Sequence, residues 1–251
     1  MATRKEQQED RRPPPIEILF EDDHLIAAVK PAGLPTANAP AGRPSLFTWL
    51  EQRLSPRSGG KAFVGIVSRL DAPVSGVVVV AKSPAAAAGL AEQFRDRSVE
   101  KRYVAVVAGR FPGPLGQWVD WDDRLVRGEG KGASCIVPAD PHGPHDPAAQ
   151  DARTRARVVR RAGEVSLVEL EPLTGRRHQL RAQLAGRGCP IVGDRLYGSR
   201  LPFPLPGGIA LHAAGLTLHH PTGGDEITLA SHVGPSWRAA FPSLFSPPAT
   251  S

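Results

Sequence analysis

Alternating and apolar runs, separated by turn residues, recur along the whole chain. Residues 16–20 alternate and residues 25–29 are largely apolar, on either side of an acidic turn at 21–23, which predicts a pair of strands. The four consecutive valines at 77–80 predict a strand that is buried on both faces. Further runs of this kind predict strands at residues 103–107, 165–170, 209–218 and 227–229.

Three segments show the spacing of apolar residues that is typical of amphipathic helices. Ser45 is a candidate N-cap for a helix that continues to about residue 54. Pro84 suits the first turn of a second helix, which we expect to end near Arg97. Thr174 is the candidate N-cap of a third helix over residues 175–185.

The succession of strands and helices predicts an α+β fold, with a mixed, mostly antiparallel central sheet flanked by helices and loops. The chain has 251 residues, of which 41% are hydrophobic, so we expect one domain over residues 16–240. Residues 1–15 and 241–251 are expected to be tails. Residues 109–150 have little periodicity and several Gly and Pro, which predicts a long surface excursion.

The charge pattern favours a polyanionic partner. The net charge is +6, and 25 of the 31 basic residues are Arg, whose guanidinium grips phosphate with two hydrogen bonds. Residues 153–187 hold nine Arg and three Glu, a local excess of six positive charges. We therefore expect a positive field at this segment.

Other classes of function receive little support. Cys135 and Cys189 have no CxxC or Cys-His spacing, so we predict neither a disulfide framework nor a zinc site. No apolar stretch reaches the roughly 20 residues that span a bilayer, and the start has no apolar signal region. We expect a cytoplasmic monomer without a metal or a membrane contact. A metal-dependent hydrolase built on His212, His219 and His220 stays open as a remote alternative.

Asp71 is the first candidate for chemistry, because it stands immediately before a turn and the valine strand. Its carboxylate is ionised near pH 7 and can act as a base, a nucleophile or an ion-pair partner. The alternative is a turn-capping role, since Asp often bonds its own backbone in turns.

A second candidate group lies in the third predicted helix. Arg177, His178 and Arg181 share a helix face by their spacing, and Leu180 and Leu184 form the buried stripe beside it. If Arg181 reaches Asp71, the pair holds the carboxylate ionised and oriented. The alternative is a solvated basic face.

Several blocks, in order along residues 16 to 230, resemble the RluA-type pseudouridine synthases. A set of such blocks is far more specific than any one of them. The central blocks are Arg69-Leu70-Asp71 with Ser75-Gly76, Glu100 to Gly109, Leu173 to Arg181, Pro190 to Asp194, and Leu196-Tyr197-Gly198. The flanking blocks are Glu21 to Leu25, Lys30 to Gly33, Leu211 to Ala213, and His220-Pro221.

The resemblance implies a pseudouridine synthase fold and the isomerisation of uridine to pseudouridine in ribosomal or transfer RNA, without a metal or an organic cofactor. It implies that Asp71 is the catalytic aspartate, that Tyr103 stacks on the flipped-out base, and that Arg181 pairs with the aspartate. Arg69 either enters the space left by the base or contacts phosphate. The other substrate contacts that we expect are Arg176, Arg177 and His178.

The chain departs from the family pattern at four positions. Relatives usually carry His at Ser68, Thr at Val74, Thr at Arg177 and His at Gln183. None of these positions is one of the three expected catalytic residues. The departures motivate a second hypothesis, a noncatalytic RNA-binding or ribosome-assembly protein on the same fold.

Overall fold

The computed structural model describes residues 15–56, 60–128, 132–137 and 147–246. These residues group into two compact units. Unit 1 contains the chain up to Val99 together with Gly215–Ser231, and unit 2 contains Glu100–Ala214 together with the residues from His232 onward. The expectation of a single domain over residues 16–240 stays a prediction. No helix among the described residues is long and apolar enough to cross a membrane.

Eleven strands and five α-helices are seen in the described residues. The strands are β1 Glu17–Glu21, β2 Leu25–Lys30, β3 Gly65–Ile66, β4 Ser75–Ala81, β5 Glu100–Ala108, β6 Val119–Arg127, β7 Ser134–Val137, β8 Gln150–Ala162, β9 Val165–Pro172, β10 Leu211–His219 and β11 Glu226–Ala230. The helices are α1 Leu46–Leu54, α2 Pro84–Asp96, α3 Gln179–Gly186, α4 Pro235–Ala240 and α5 Pro242–Phe245, with a short 3₁₀ helix at Arg195–Tyr197.

Unit 1 is built around β4. Strand β2 pairs antiparallel with both β1 and β4, β3 pairs with β4, and β11 pairs with the second half of β10. Val77 and Val79 pack into one hydrophobic cluster, while Val78 and Val80 pack into another. The strand at residues 77–80 is therefore buried on both faces, as its sequence predicts.

The two helices of unit 1 begin where their sequence predicts. Ser45 accepts a hydrogen bond from the backbone N–H of Thr48, whose side chain accepts one from Ser45 N–H, so a capping box starts α1. Ser83 caps α2 ahead of Pro84, and Arg97 ends that helix in the left-handed conformation.

Unit 2 contains five strands in the spatial order β5-β9-β8-β6-β7, each antiparallel to its neighbour. An isolated bridge between Leu115 and Val158 is parallel, so the strand pairing is mixed but mostly antiparallel. The strands and helices together confirm the predicted α+β class.

The structure corrects the expected excursion at residues 109–150. Strands β6 and β7 lie within it, and Trp121 and Leu125 of β6 are buried. The alternation of β6 is interrupted in the sequence, because Asp123 stands on the same strand face as the buried Trp121 and Leu125 and between them. Residues 129–131 and 138–146 lie outside the described residues.

Part of the expected C-terminal tail is folded. Helix α5 lies inside the segment 241–251 and buries Leu244, so this part of the chain is packed rather than a tail. Residues 1–14 and 247–251 lie outside the described residues.

The third predicted helix starts later than expected. Helix α3 begins at Gln179, and its N-cap is His178, which caps with no side-chain hydrogen bond. The hydroxyl of Thr174 instead accepts from Arg153 N–H and donates to the side-chain oxygen of Gln179. Thr174 therefore closes a loop against β8, and the predicted helix start at Thr174 is wrong. Leu180 and Leu184 are buried as predicted.

Candidate functional site

Asp71 lies on the loop that leads into β4. Its side chain is half-buried, and its carbonyl accepts a hydrogen bond from Val74 N–H at 3.0 Å, which closes a turn over Ala72 and Pro73. This turn passes directly into the buried strand at Ser75. The carboxylate is therefore carried at the end of a rigid strand rather than on a long loop.

Hydrogen bonds from the β2–α1 connection hold the residues on both sides of Asp71. The hydroxyl of Thr36, which is buried, donates to Leu70 O at 2.8 Å and accepts from Leu70 N–H at 3.2 Å. On the other side, Gly33 N–H donates to Ala72 O at 2.8 Å. Because both neighbours are fixed, the backbone of Asp71 has little freedom to move.

Lys30 adds a buried cation to this loop. Its side chain is 0% exposed, and its Nζ donates to Leu34 O at 2.7 Å, Pro31 O at 3.0 Å and Ala72 O at 3.2 Å. Desolvation lowers the pKa of Lys30 to about 7, and the negative charge of Asp71 opposes that shift. A lysine is rarely buried without a partner, so this side chain serves the Asp71 loop.

Tyr103 lies on β5, where it pairs with Leu170 of β9 and is half-buried. Val106 and Val107, further along the same strand, are fully buried. The tyrosine thus stands near the end of a strand whose centre is core. Its predicted role as the base-stacking residue stays a prediction.

Arg181 on α3 is buried and bound to a carboxylate of its own unit. Its Nε donates to Asp194 Oδ2 at 2.7 Å and its Nη2 to Asp194 Oδ1 at 2.9 Å. Its guanidinium carbon lies 5.0 Å from the ring centroid of Tyr197. Asp71 belongs to unit 1 and Arg181 to unit 2, and their pairing stays a prediction.

His178 adopts the left-handed conformation, with φ of 54°, which is uncommon for a residue other than glycine. Its Nδ1 lies 3.1 Å from the hydroxyl of Tyr197, and the two rings meet edge to face. The same hydroxyl accepts from Ser134 N–H at 2.8 Å. Unit 2 therefore brings His178 and Arg181 together around Tyr197, although they do not share a helix face.

The other predicted substrate contacts are at the surface. Arg69 of unit 1 and Arg177 of unit 2 are exposed. Arg176 is half-buried, and its Nε donates to Asp151 O at 3.0 Å. The backbone carbonyl of Arg177 accepts from the hydroxyl of Ser134, so β7 holds the loop ahead of α3.

The local charge is smaller than the sequence count suggests. Within the described residues, four arginines of the segment 153–187 form these ion pairs: Arg155–Glu171, Arg157–Glu169, Arg181–Asp194 and Arg187–Asp123. Asp123 and Asp194 come from outside the segment, so a count along the chain overstates the field around it. The expected concentration of positive charge is corrected accordingly.

The departure at Gln183 is accommodated by hydrogen bonds. Gln183 is fully buried, its Oε1 accepts from the Thr154 hydroxyl at 2.7 Å, and its Nε2 donates to Asp123 Oδ2 at 2.8 Å and Ala152 O at 2.9 Å. The side chain joins α3 to β6 and β8. This position is therefore a structural one in this protein.

His220, one of the three histidines named as possible metal ligands, has protein partners instead. His220 Nε2 lies 2.9 Å from Asp22 Oδ2, and its Nδ1 accepts from Gly223 N–H at 2.9 Å. The contact between His220 and Asp22 ties the turn after β10 to the turn after β1. Across the part of the chain that the structure describes, no three His, Cys, Asp or Glu side chains are grouped as metal ligands would be.

Four residues beside the expected site were given no role by sequence reasoning: Lys30, Thr36, Asp194 and Tyr197. The one signal for the burial of Lys30 is its strand position, because it shares a face of β2 with Ile26 and Ala28, which are buried. Asp194 and Tyr197 stand within blocks of the family pattern, but only the fold reveals their contact with Arg181.

Comparison with known proteins identifies the family. A family model described as RNA pseudouridylate synthase matches residues 24–186. The dual-specificity RNA pseudouridine synthase RluA of Salmonella typhimurium is 36% identical over 220 residues, which cover 84% of this chain and 90% of that protein. Ribosomal large subunit pseudouridine synthase D of Zymomonas mobilis is 33% identical over 246 residues, which cover 92% of this chain and 73% of that protein.

Solved structures extend the likeness to the fold. Human RNA pseudouridylate synthase domain containing 4 superimposes with a TM-score of 0.70 at 25% identity, covering 90% of this chain and 92% of that one. Human RNA pseudouridylate synthase domain containing 1 gives 0.68 at 26% identity, covering 92% and 86%. The expected pseudouridine synthase fold is confirmed. On sequence and fold together, the chain belongs to the RluA-type pseudouridine synthases, a family of isomerases that act on uridine in RNA.

Proposed function

We propose that this protein converts uridine to pseudouridine in ribosomal or transfer RNA, with Asp71 as the catalytic group. The observation that carries the proposal is the fixed Asp71 loop, in which hydrogen bonds hold the residues on both sides of the carboxylate. A group that must meet one atom of a flipped-out nucleotide benefits from such preorganisation. The curated relatives named above act on large-subunit ribosomal RNA or have dual specificity.

The reaction needs one bond broken and one bond made at the same sugar carbon. Asp71 attacks the nucleotide at the sugar or the base, and the bond between C1′ and N1 breaks. The uracil turns and C5 bonds to C1′, while the bond that Asp71 formed breaks and frees the carboxylate. The proton on C5 is lost as N1 gains one. The net change is an isomerisation, so it requires no oxidant and no external group donor.

The remaining residues hold the RNA and the base. Tyr103 stacks on the flipped-out uracil, which replaces stacking lost from the RNA and contributes about 1–3 kcal/mol. Arg181 pairs with Asp71 and orients it, while His178 and Arg176 contact the nucleotide. Arg69 and Arg177, both exposed, contact phosphate or fill the space that the base leaves.

We further propose a cytoplasmic monomer that works without a metal or cofactor. Activity that persists in a chelator, together with a monomer mass from light scattering, is the expected result. Loss of activity in the chelator would contradict the first part, and a dimer mass the second.

The test of the catalytic assignment is Asp71→Asn, which keeps the side-chain volume and removes the charge. We expect pseudouridine formation on cellular RNA to fall at least about a thousandfold. RNA affinity should change by no more than about threefold, because phosphate contacts dominate it. The measurements are pseudouridine mapping and a binding titration.

Asp96→Asn is the matched control, because Asp96 is an exposed carboxylate at the end of α2 in the same unit. We expect it to react at the rate of the unchanged protein. Turnover by Asp71→Asn would contradict the mechanism. RNA binding without pseudouridine formation by the unchanged protein, on any RNA of the cell, would instead support the noncatalytic alternative.

A further inference from the structure

Arg181 is held by two side chains that belong to one turn. Asp194 binds its guanidinium through two hydrogen bonds, and the side chains of this pair are only 7% and 1% exposed. Two parallel N–H···O bonds fix the plane of a guanidinium as well as its position. Asp194 is too deeply buried to meet a nucleotide, so any effect it has on the reaction passes through Arg181.

Tyr197 supports the same guanidinium from the side of its ring. The ring lies beneath Arg181, and the hydroxyl contacts both His178 Nδ1 and Ser134 N–H. Since the phenol oxygen accepts from Ser134 N–H, its own proton is available to donate to His178. Tyr197 thus touches both Arg181 and His178.

The turn that carries these two residues is itself rigid. Asp194 N–H donates to Ile191 O at 3.0 Å, and Asp194 O accepts from Tyr197 N–H at 3.1 Å and Ser199 N–H at 3.0 Å. These bonds fix the spacing between the carboxylate and the phenol. The hydroxyl of Tyr197 then ties the turn to β7, the edge strand of unit 2.

We propose that Asp194 and Tyr197 are positioning residues, which hold Arg181 and His178 in the orientation that the reaction requires. The inference rests on the proposed catalytic use of Arg181. It also assigns a purpose to the β6–β7 pair, because Ser134 at the start of β7 anchors the hydroxyl of Tyr197.

The same helix supplies a matched comparison. Arg187, just past the end of α3, binds Asp123 at 2.9 Å, and its guanidinium carbon lies 4.1 Å from the ring centroid of Trp121. Like Arg181, Arg187 has an aspartate partner and an aromatic ring beside its guanidinium. However, the Arg187 side chain is 24% exposed and has no expected part in the reaction. Loss of Asp123 should therefore affect stability alone.

The experiment compares Asp194→Asn with Asp123→Asn, using the full chain and RNA that contains the mapped uridine. We expect Asp194→Asn to lower the single-turnover rate at saturating RNA by about 100-fold, the cost of a misplaced group near the reacting atoms. RNA affinity should stay within about threefold. Asp123→Asn should react at the rate of the unchanged protein.

A double variant separates positioning from general destabilisation. If Asp194 acts through Arg181, adding Asp194→Asn to Arg181→Lys should slow the reaction no further than Arg181→Lys alone. An unchanged rate in Asp194→Asn, or effects that multiply in the double variant, would overturn the inference. If Arg181→Lys reacts slowly while Asp194→Asn reacts at the rate of the unchanged protein, the positioning inference is overturned but the proposed function is not. If the unchanged protein forms no pseudouridine, the proposed function itself is overturned.

Tyr197→Leu tests the positioning role of this turn if Asp194→Asn does not fold. It removes the ring under Arg181 and the hydroxyl beside His178, at a position that is only half-buried. We expect a rate at least about tenfold below that of the unchanged protein, at full occupancy by RNA. A rate within about twofold would contradict the role of the turn.

Discussion

Lys30 has an environment that its residue type does not predict, since its side chain is fully buried. Three backbone carbonyls face its Nζ, and an ammonium group has three N–H donors whereas the neutral amine has two. The carbonyls therefore compensate part of the cost of burying the charge. Because one of them belongs to Ala72, the protonation state of Lys30 is linked to the loop that carries Asp71.

Lys30→Met should reveal this titration in the stability of the protein. Burial lowers the pKa of Lys30 to about 7 in the folded state, against about 10.4 in the unfolded chain. Between these values the unfolded chain binds one more proton, so the free energy of unfolding rises with pH, by up to about 1.4 kcal/mol per unit. Below pH 7 both states are charged, and the burial cost is present in full.

The measurement is the difference in unfolding free energy between the unchanged protein and Lys30→Met, from denaturant titrations at pH 6, 7, 8 and 9. This difference should be flat below about pH 7 and should then rise in favour of the unchanged protein. Lys61→Met is the control, because the Lys61 side chain is 84% exposed. A flat difference across the whole range would contradict the lowered pKa of Lys30.

At the scale of elements, the turn between Ile191 and Ser199 decides where Asp194 and Tyr197 stand. Gly193 and Gly198 lie beside Asp194 and Tyr197. Both glycines have φ of 87°, a backbone conformation that other residues adopt only with strain. Their surroundings differ. A Cβ at Gly193 would lie 2.7 Å from the Cβ of Phe203 and 3.1 Å from Gly208 O, whereas a Cβ at Gly198 would meet nothing within 4 Å.

Alanine at the two glycines should therefore have unequal effects. Gly198→Ala should cost only the left-handed backbone, about 1 kcal/mol. Gly193→Ala should cost about 1–3 kcal/mol more, because it overpacks the turn against Phe203. Thermal unfolding of both variants measures the difference. Equal losses would mean that the turn moves freely, which would also weaken the case that it positions Arg181.

Helix α3 shows how much of an element sequence alone predicts. The spacing of Leu180 and Leu184 identified its buried stripe, and both leucines are buried. Its start was wrong, because the hydroxyl of Thr174 binds the backbone of Arg153 and the side chain of Gln179. A capping signal is a property of neighbouring residues, but Arg153, which binds the Thr174 hydroxyl, lies on a strand about twenty positions earlier in the chain.

At the scale of the whole molecule, we expect affinity for RNA to depend on which arginines are exposed and which are paired within the described residues. Arg157 Nε donates to Glu169 at 2.6 Å, so part of its charge is compensated within unit 2. Arg177 is exposed at the loop ahead of α3. A net charge of +6 therefore describes the chain but not the surface that RNA meets.

Arg177→Gln should weaken RNA binding and flatten its dependence on salt. Loss of one phosphate contact reduces the slope of log K against log salt concentration by about 1. Arg157→Gln, the matched control on β8, should leave the slope nearly unchanged. Binding titrations from about 50 to 200 mM salt give both slopes. Equal changes in the two variants would contradict the distinction between exposed Arg177 and Arg157, which is paired with Glu169.

The sequence by itself determined seven of the eleven described strands, two of the helices and the family, because side-chain periodicity, capping residues and motif order are properties of short segments. The valine strand and the N-cap at Ser45 are of this kind. Only the tertiary structure decided that Asp194 binds Arg181, that Lys30 meets the Asp71 loop, and that carboxylates from other strands neutralise the arginines. Such partners come together when the chain folds back on itself, and no local pattern encodes which carboxylate or carbonyl will then lie within 3 Å of a buried cation.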